Sequence, residues 1–201
     1  VKGNRLKHPT ASLIVPRTRF FGNAILSILT KIASGYWHIS DTQTGFTAIS
    51  LRALNQIKIY NIYKRYGMPN DLLVRLNIAS CSLKEVGIKP IYNVGEQSKM
   101  RPMRVIPSIS WLLLRSFVRR LWVKYLFRDF HPLFLLYNLS FFLLTAFIPL
   151  LIYMIPIILR PGEMISVSVM FIAAFMLITG LQSLFFAMWM DIGDNQKLYK
   201  Y

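Results

Sequence analysis

The sequence is poor in acid, in histidine and above all in cysteine. Its 201 residues include 8 acidic side chains, 3 histidines and one cysteine, Cys81. A single cysteine excludes an intrachain disulfide and any cysteine-based metal site. At the end of an apolar helical stretch, Cys81 reads as inert packing. Against so few carboxylates stand 24 Lys and Arg, for a net charge of +16. That balance points to an anionic partner: lipid headgroups, nucleic acid or a phosphorylated substrate. Internal repeats and low-complexity linkers are also missing, and no signal peptide is expected before the domain. The chain opens on Val1 rather than Met, and residues 1–104 are short for an enzyme domain that also serves an anchor. The expectation is therefore that an amino-terminal part precedes Val1.

Charge is missing most conspicuously between His131 and Met190, where only Arg160 and Glu163 are ionised. They separate two apolar runs, Pro132–Leu159 and Met164–Met190. Each run exceeds the ~20 residues needed to cross a hydrocarbon core. Two transmembrane helices are expected, with residues 191–201 as a tail. Of the basic residues 21 fall in 1–131, together with five acidic ones, while the remaining three and three cancel. The positive-inside rule then puts residues 1–131 and the tail in the cytoplasm, with Arg160–Glu163 as the short far-side link.

What is present before the apolar runs has α/β character. Lys2-Gly3-Asn4-Arg5 reads as a strand end turning into a loop. Arg17–Ala33 has helical spacing, with Phe21, Ala24, Ile25, Ile28, Leu29 and Ile32 on one face and Gly35 as its stop. Arg17 and Arg19 sit in its first turn, where the helix dipole disfavours cations. Either a bound anion accounts for them or they are solvated. Leu51–Ile62 is expected to be helical, with Tyr60, Tyr63 and Tyr66 packing. Asn70 is expected to cap a helix running to about Ser80, with Asp71 in its favoured first turn. Lys84–Asn93 alternates as a strand. Gly95-Glu96-Gln97-Ser98-Lys99-Met100-Arg101 suits either a phosphate-wrapping loop or a solvated basic one. Ser108–Phe130 is a basic amphipathic helix. Trp111, Leu114, Val118, Leu121, Trp122 and Tyr125 share an uncharged arc, and Arg115, Arg119, Arg120, Lys124 and Arg128 lie outside it. It is expected to lie in the headgroup layer, the alternative being a helix packed on the globular domain.

The stretch Ser34–Ser50 organises the rest. Asp41 sits among Ser40, Thr42, Gln43 and Thr44, followed by a turn at Gly45 and a short buried strand at Phe46–Ile49. Two readings are open: a carboxylate at the ligand-binding end of a sheet, or a turn in which Asp41 caps its own backbone.

In order along the chain, Gly3–Arg5, Arg17–Asn23, D-T-Q-T-G-F at Asp41–Phe46, N-D-L-L-V-R at Asn70–Arg75 and G-E-Q-S-K at Gly95–Lys99, followed by the juxtamembrane helix and hairpin, resemble the carboxyl-terminal half of family 2 glycosyltransferases. The resemblance is to enzymes acting on polyprenyl phosphates, of the dolichol-phosphate mannose synthase type. It implies an α/β fold, a partial GT-A (Rossmann-like) domain at 1–104. An amphipathic interfacial helix at 105–131 and a two-helix transmembrane hairpin (132–159, 164–190) follow. It implies a hexosyltransferase using a nucleotide-sugar donor, a polyprenyl (dolichyl or undecaprenyl) phosphate acceptor, and Mg2+ or Mn2+. The metal's D-x-D segment would lie upstream of Val1, so the chain as given should be inactive. The enzyme would be a multi-pass protein of the cell membrane or the endoplasmic reticulum membrane.

Carried over by position, the resemblance places Arg5, Arg19 and Asn23 on the acceptor phosphate. It puts Asp41 and Gln43 by the sugar and donor diphosphate, and Ser98 and Lys99 in the loop closing over the phosphates. Relatives hold an arginine three residues before that loop's glycine; Tyr92 stands there instead, and Arg101 is the substitute. Asp71 is a second catalytic candidate beside Asp41, because related transferases with neutral acceptors place a base in this helix. Two other readings compete. A processive polysaccharide synthase would carry Q-x-x-R-W before the spans, and no such run occurs. A basic adaptor binding anionic lipid would leave Asp41 and Asn70-Asp71 unexplained. Nucleic acid is not expected as a partner, because the tyrosines at 60–66 read as core rather than as a stacking platform. A homo-oligomer formed through the spans is left open.

Overall fold

The computed structural model describes residues 1–7, 17–57, 59–89, 102–160 and 164–200, with side chains for all of these except 17–21, 65 and 102–105. The described residues fall into two compact units: Val1–Lys124 with Asp194–Tyr201, and Tyr125–Gly193.

In the first unit, strand β1 (Lys2–Asn4) pairs in parallel with β2 (Glu85–Gly87), in the register Lys2–Glu85, Gly3–Val86 and Asn4–Gly87. A single antiparallel bridge joins Lys2 to Thr47 on the other side, so β1 lies in the middle of three backbone segments. This small sheet is compatible with part of a glycosyltransferase domain; the described residues do not by themselves amount to a Rossmann-like sheet. The expected buried strand at Phe46–Ile49 is corrected. Only Thr47 bridges, Phe46 is 74% exposed, and Ile49 alone turns toward the core.

Helix α1 (Arg17–Ser34) ends as its sequence suggests: Gly35 takes φ +75°, and its N–H reaches the Lys31 carbonyl at 2.8 Å. A left-handed residue there favours glycine. Helix α2 (Leu51–Gln56), capped by Ser50, is shorter than expected, because Ile57 turns extended and buries itself in the core. Two 3₁₀ turns (Ile59–Asn61 and Arg65–Gly67) follow, and Tyr60, Tyr63 and Tyr66 point outward instead of packing. Helix α3 (Met68–Ile78) starts two residues before Asn70, with Gly67 as N-cap and a proline in its first turn. Asn70 is therefore an interior helical residue and not a cap. The core gathers Tyr36, Ile39, Ile57, Leu72, Leu73, Leu76, Leu83 and Leu198. Cys81 is half-buried beside it, with Sγ 3.3 Å from Gln56 Oε1.

Helix α4 (Pro102–Trp122) continues as π-type turns over Val123–Arg128. The expected uncharged arc is split. Trp111, Leu114, Val118 and Trp122 are exposed, but Leu121 and Tyr125 are buried. The packed face of α4 is instead Ile109, Leu113, Phe117, Leu121 and Arg120. Arg120, expected outside, is fully buried, with Nη2 donating to the Ile32 carbonyl at 3.0 Å. A guanidinium that caps a helix-end carbonyl tolerates a site that wheel arithmetic reserves for apolar groups.

The second unit holds α5 (Pro132–Leu159) and most of α6 (Val167–Asn195). Both are long and apolar enough to cross a membrane. Helix α6 begins three residues later than the apolar run and continues past it. A Cβ at Gly180 would lie 2.9 Å from the Leu144 side chain, so the two helices are closely apposed there. Tyr125 donates to Asp191 at 2.9 Å.

Candidate functional site

The site grows from the end of β1. Directly past the strand, Arg5 turns its guanidinium onto Asp41: Nε to Oδ2 is 2.7 Å and Nη2 to Oδ1 2.9 Å, and the Arg5 backbone N–H adds a third bond at 3.1 Å. Asp41 is 3% exposed. It does not cap its own turn; the donors come from a segment 36 residues away. Burial pushes the Asp41 carboxyl pKa upward, but the Arg5 hydrogen bonds and charge outweigh it, and the group is held below the ordinary carboxylate value. It is a fixed anion at neutral pH and a poor proton acceptor.

Three neighbours hold this pair in place. Lys2, fully buried on β1, donates to the Thr44 carbonyl at 2.7 Å. Desolvation lowers its pKa to about 8, against the attraction of Asp41. Glu85, at the start of β2, accepts from the backbone N–H groups of Ser40 (2.7 Å) and Asp41 (3.1 Å) and from Asn4 Nδ2 (2.8 Å). Asn4 Oδ1 in turn accepts from the N–H groups of Leu6 and Lys7, shaping the loop that presents Arg5. The sequence reading missed Lys2, Asn4 and Glu85. The signal was there for Glu85, a carboxylate inside an alternating strand in a chain with few of them.

Gln43 faces a second polar wall. Its Nε2 donates to Thr42 Oγ1 (3.0 Å) and Asn70 Oδ1 (3.1 Å), while Thr30 Oγ1 lies 3.2 Å from the same Asn70 oxygen. Thr42 also bonds Ser27 of α1 at 3.1 Å. The D-T-Q run is thereby tied to α1 and α3. Asn70 is wholly buried and its Nδ2 has no hydrogen-bond partner among the described residues.

Asp71, next in sequence, faces other groups: its Oδ2 accepts from the Tyr63 N–H and from Arg75 Nε, each at 2.8 Å. Arg75 also bonds the Asn61 carbonyl. Asn23 is half-buried on α1. The side chain of Arg19, and all of Ser98, Lys99 and Arg101, lie outside the described residues. So does the Tyr92 position. The structure thus pairs Arg5 with Asp41 and, two residues along the chain, Gln43 with Asn70, in two hydrogen-bonded clusters that share only the Asp41-Thr42-Gln43 backbone. Among the described residues no group of three or more His, Cys, Asp or Glu is placed to hold a metal ion. Both Asp41 oxygens are already occupied by Arg5, so these residues do not fit a divalent-metal site.

The features so far define a basic, mostly helical unit with a small parallel sheet and an arginine–carboxylate pair at the sheet's end, its carboxylate buried, in a chain with two helices of membrane-spanning length. Compared with curated proteins, the chain is similar to a UDP-N-acetylglucosamine–dolichyl-phosphate N-acetylglucosaminyltransferase of Methanococcus voltae, 34% identical over 92 residues. The matched stretch is 46% of this chain and 36% of that protein, so the chain spans about a third of its relative's length. No family model matches the chain, and no solved structure does.

Proposed function

We propose that the chain is part of a membrane-anchored glycosyltransferase that moves a sugar from a nucleotide-sugar donor to a polyprenyl phosphate. The observation that carries this reading is the similarity to the Methanococcus voltae protein, whose name couples a nucleotide sugar to dolichyl phosphate. The Arg5–Asp41 pair, the adjacent Gln43–Asn70 contact and the two membrane-length helices support it. In finer detail, the domain is of the GT-A, family 2 type. The protein is multi-pass with its catalytic side cytoplasmic, and the donor is a nucleotide-activated hexose.

A lipid phosphate is already anionic at neutral pH, so it attacks the anomeric carbon with little need of a general base. The site has to hold two anionic molecules together and stabilise the departing diphosphate. Asp41, kept ionised by Arg5, suits orienting the sugar or meeting the positive charge that develops on it. Gln43, held by Asn70, suits hydrogen bonding to sugar hydroxyls. Arg19, Asn23, Ser98, Lys99 and Arg101 complete the proposed phosphate-binding set, with Arg5 steering from the Asp41 pair. Mg2+ or Mn2+ is assigned to residues other than those described here.

The test is a full-length protein containing this segment, assayed in membranes with dolichyl phosphate and radiolabelled donors, UDP-N-acetylglucosamine against a nucleotide-linked mannose. Label should enter the lipid fraction, and Asp41→Asn should lower turnover while leaving membrane insertion intact. Arg19→Ala and Lys99→Ala should each reduce transfer roughly tenfold or more. An Asp41→Asn enzyme with normal turnover would remove that residue from the site.

A further inference from the structure

In the second unit, the packed side of α6 is made of small residues. Ala173, Gly180, Ser183 and Ala187 are buried along it, with the Leu144 side chain of α5 against Gly180. Steps of about 100° per residue carry Ile178, Gln182, Phe185 and Trp189 to the other side. All four are exposed. With Leu181 and Phe186 they line a groove of about 560 Å³ along the helix.

Lipid tails account for the apolar side chains of this face, and a tryptophan near the end of a span suits the headgroup level. Gln182 is the exception. It lies eight residues before Met190, where the apolar run ends, which is about 12 Å inside it at the helical rise. Its stem is shorter than the lysine and arginine stems that snorkel out from such depths. On α5, polar side chains turn back onto their own helix: Asn138 Nδ2 donates to the Phe134 carbonyl at 2.7 Å, and Thr145 Oγ1 to that of Phe141 at 2.6 Å. The Gln182 amide makes no hydrogen bond among the described residues. Hydrocarbon penalises an amide left in that state, and neither an acyl nor a prenyl chain offers it a partner. A second glutamine does, because a primary amide both donates and accepts. Interhelical hydrogen bonds of this kind join membrane helices, and a two-fold axis sets each residue of a shared face against its own copy.

We propose that this face of α6 is a dimer surface for a second copy of the chain. The two Gln182 side chains exchange hydrogen bonds across the axis, and Ile178, Phe185 and Trp189 pack on either side of them. The proposal rests on α6 crossing a membrane, as in the function proposed above, and does not depend on the transfer reaction.

The test uses the whole 201-residue chain. Membranes carrying it are washed with alkaline carbonate, and the chain should stay with the lipid. In density-matched micelles of a neutral detergent, sedimentation equilibrium should then show a monomer–dimer equilibrium. Gln182→Leu, which keeps the bulk and removes the amide, should weaken the dimer about three- to thirtyfold, the range that interhelical hydrogen bonds span. Thr145→Val, whose hydroxyl is already satisfied within α5, should leave it unchanged. In membranes, on a Cys81→Ser background, oxidation should link copies carrying Ile178→Cys or Phe185→Cys. It should not link copies carrying Leu177→Cys, about 140° round the helix from Gln182. Extraction by carbonate would overturn the membrane reading and this proposal together. A membrane-held chain that stays monomeric, a Gln182→Leu dimer as tight as the parent's, or equal linking through Leu177→Cys would overturn the proposal alone. If such a monomer's Trp189 fluorescence, by difference from Trp189→Phe, saturates with added polyprenyl phosphate, the groove belongs to a prenyl chain instead.

Discussion

Asp41 and Asp71 are both buried carboxylates held by an arginine, yet they belong to different kinds of structure. Asp71 is held by Arg75, one helical turn away, and the same Oδ2 also accepts from the Tyr63 N–H, so it pins a loop to its own helix. Asp41 is held by Arg5, 36 residues away in the chain, with Lys2, Asn4 and Glu85 gathered round it. The first arrangement is local. The second joins three chain segments at one point and leaves a fixed anion at the end of β1.

That contrast can be broken most forcefully at Arg5. Arg5→Ala leaves Asp41 buried without its partner and should cost about 2–3 kcal/mol of stability, somewhat below the usual range for a buried pair because Arg5 is partly exposed. Denaturant unfolding followed by tryptophan fluorescence would measure it. Adding Asp41→Asn should restore part of the loss, since the stranded charge is then gone.

Asp71→Ala should cost less, about 1–2 kcal/mol, because Arg75 can turn to solvent. In the proposed full-length transferase the folded fraction should keep its turnover. A variant of normal stability that has lost transfer would instead make Asp71 the base. Asn70→Ala should cost about 1 kcal/mol and release Gln43, raising the donor KM more than it lowers kcat.

Near neutral pH the smallest effects are those of titrating Lys2 and Asp41, which change charge above and below that range. Lys2 has its folded pKa lowered to about 8 from 10.5. Between those values the folded chain binds fewer protons than the unfolded one, so stability should rise with pH across that interval. Asp41 works in the opposite range. Its folded pKa lies below the ordinary 3.8, so its contribution is complete at neutral pH and is lost as pH falls through the depressed value. Nitrogen-detected NMR of Lys2 would check the first claim, and Asp41→Asn should lower the Lys2 pKa further by removing an attracting charge.

The helices were legible where a periodic signal ran long enough: α1 with its glycine stop, and α5 and α6 by hydropathy. Local cues misled where tertiary packing prevailed. Ile57 broke α2 by entering the core, the tyrosines at 60–66 turned outward, and Arg120 went inside because a helix-end carbonyl awaited it. Residues 191–201 read only as a tail, yet Leu198 packs in the core and its carbonyl bonds Leu83.

The amino-acid sequence alone determined which stretches are apolar enough for a membrane, where the positive charge concentrates, and that Asp41 and Gln43 flank a turn. These follow from composition and near-neighbour spacing, which a linear reading can count. Only the tertiary structure decided that Arg5 meets Asp41, that Glu85 holds the backbone beneath it, and that Leu83 meets Leu198. Those meetings depend on strand register and long-range closure, which short-range preferences do not encode.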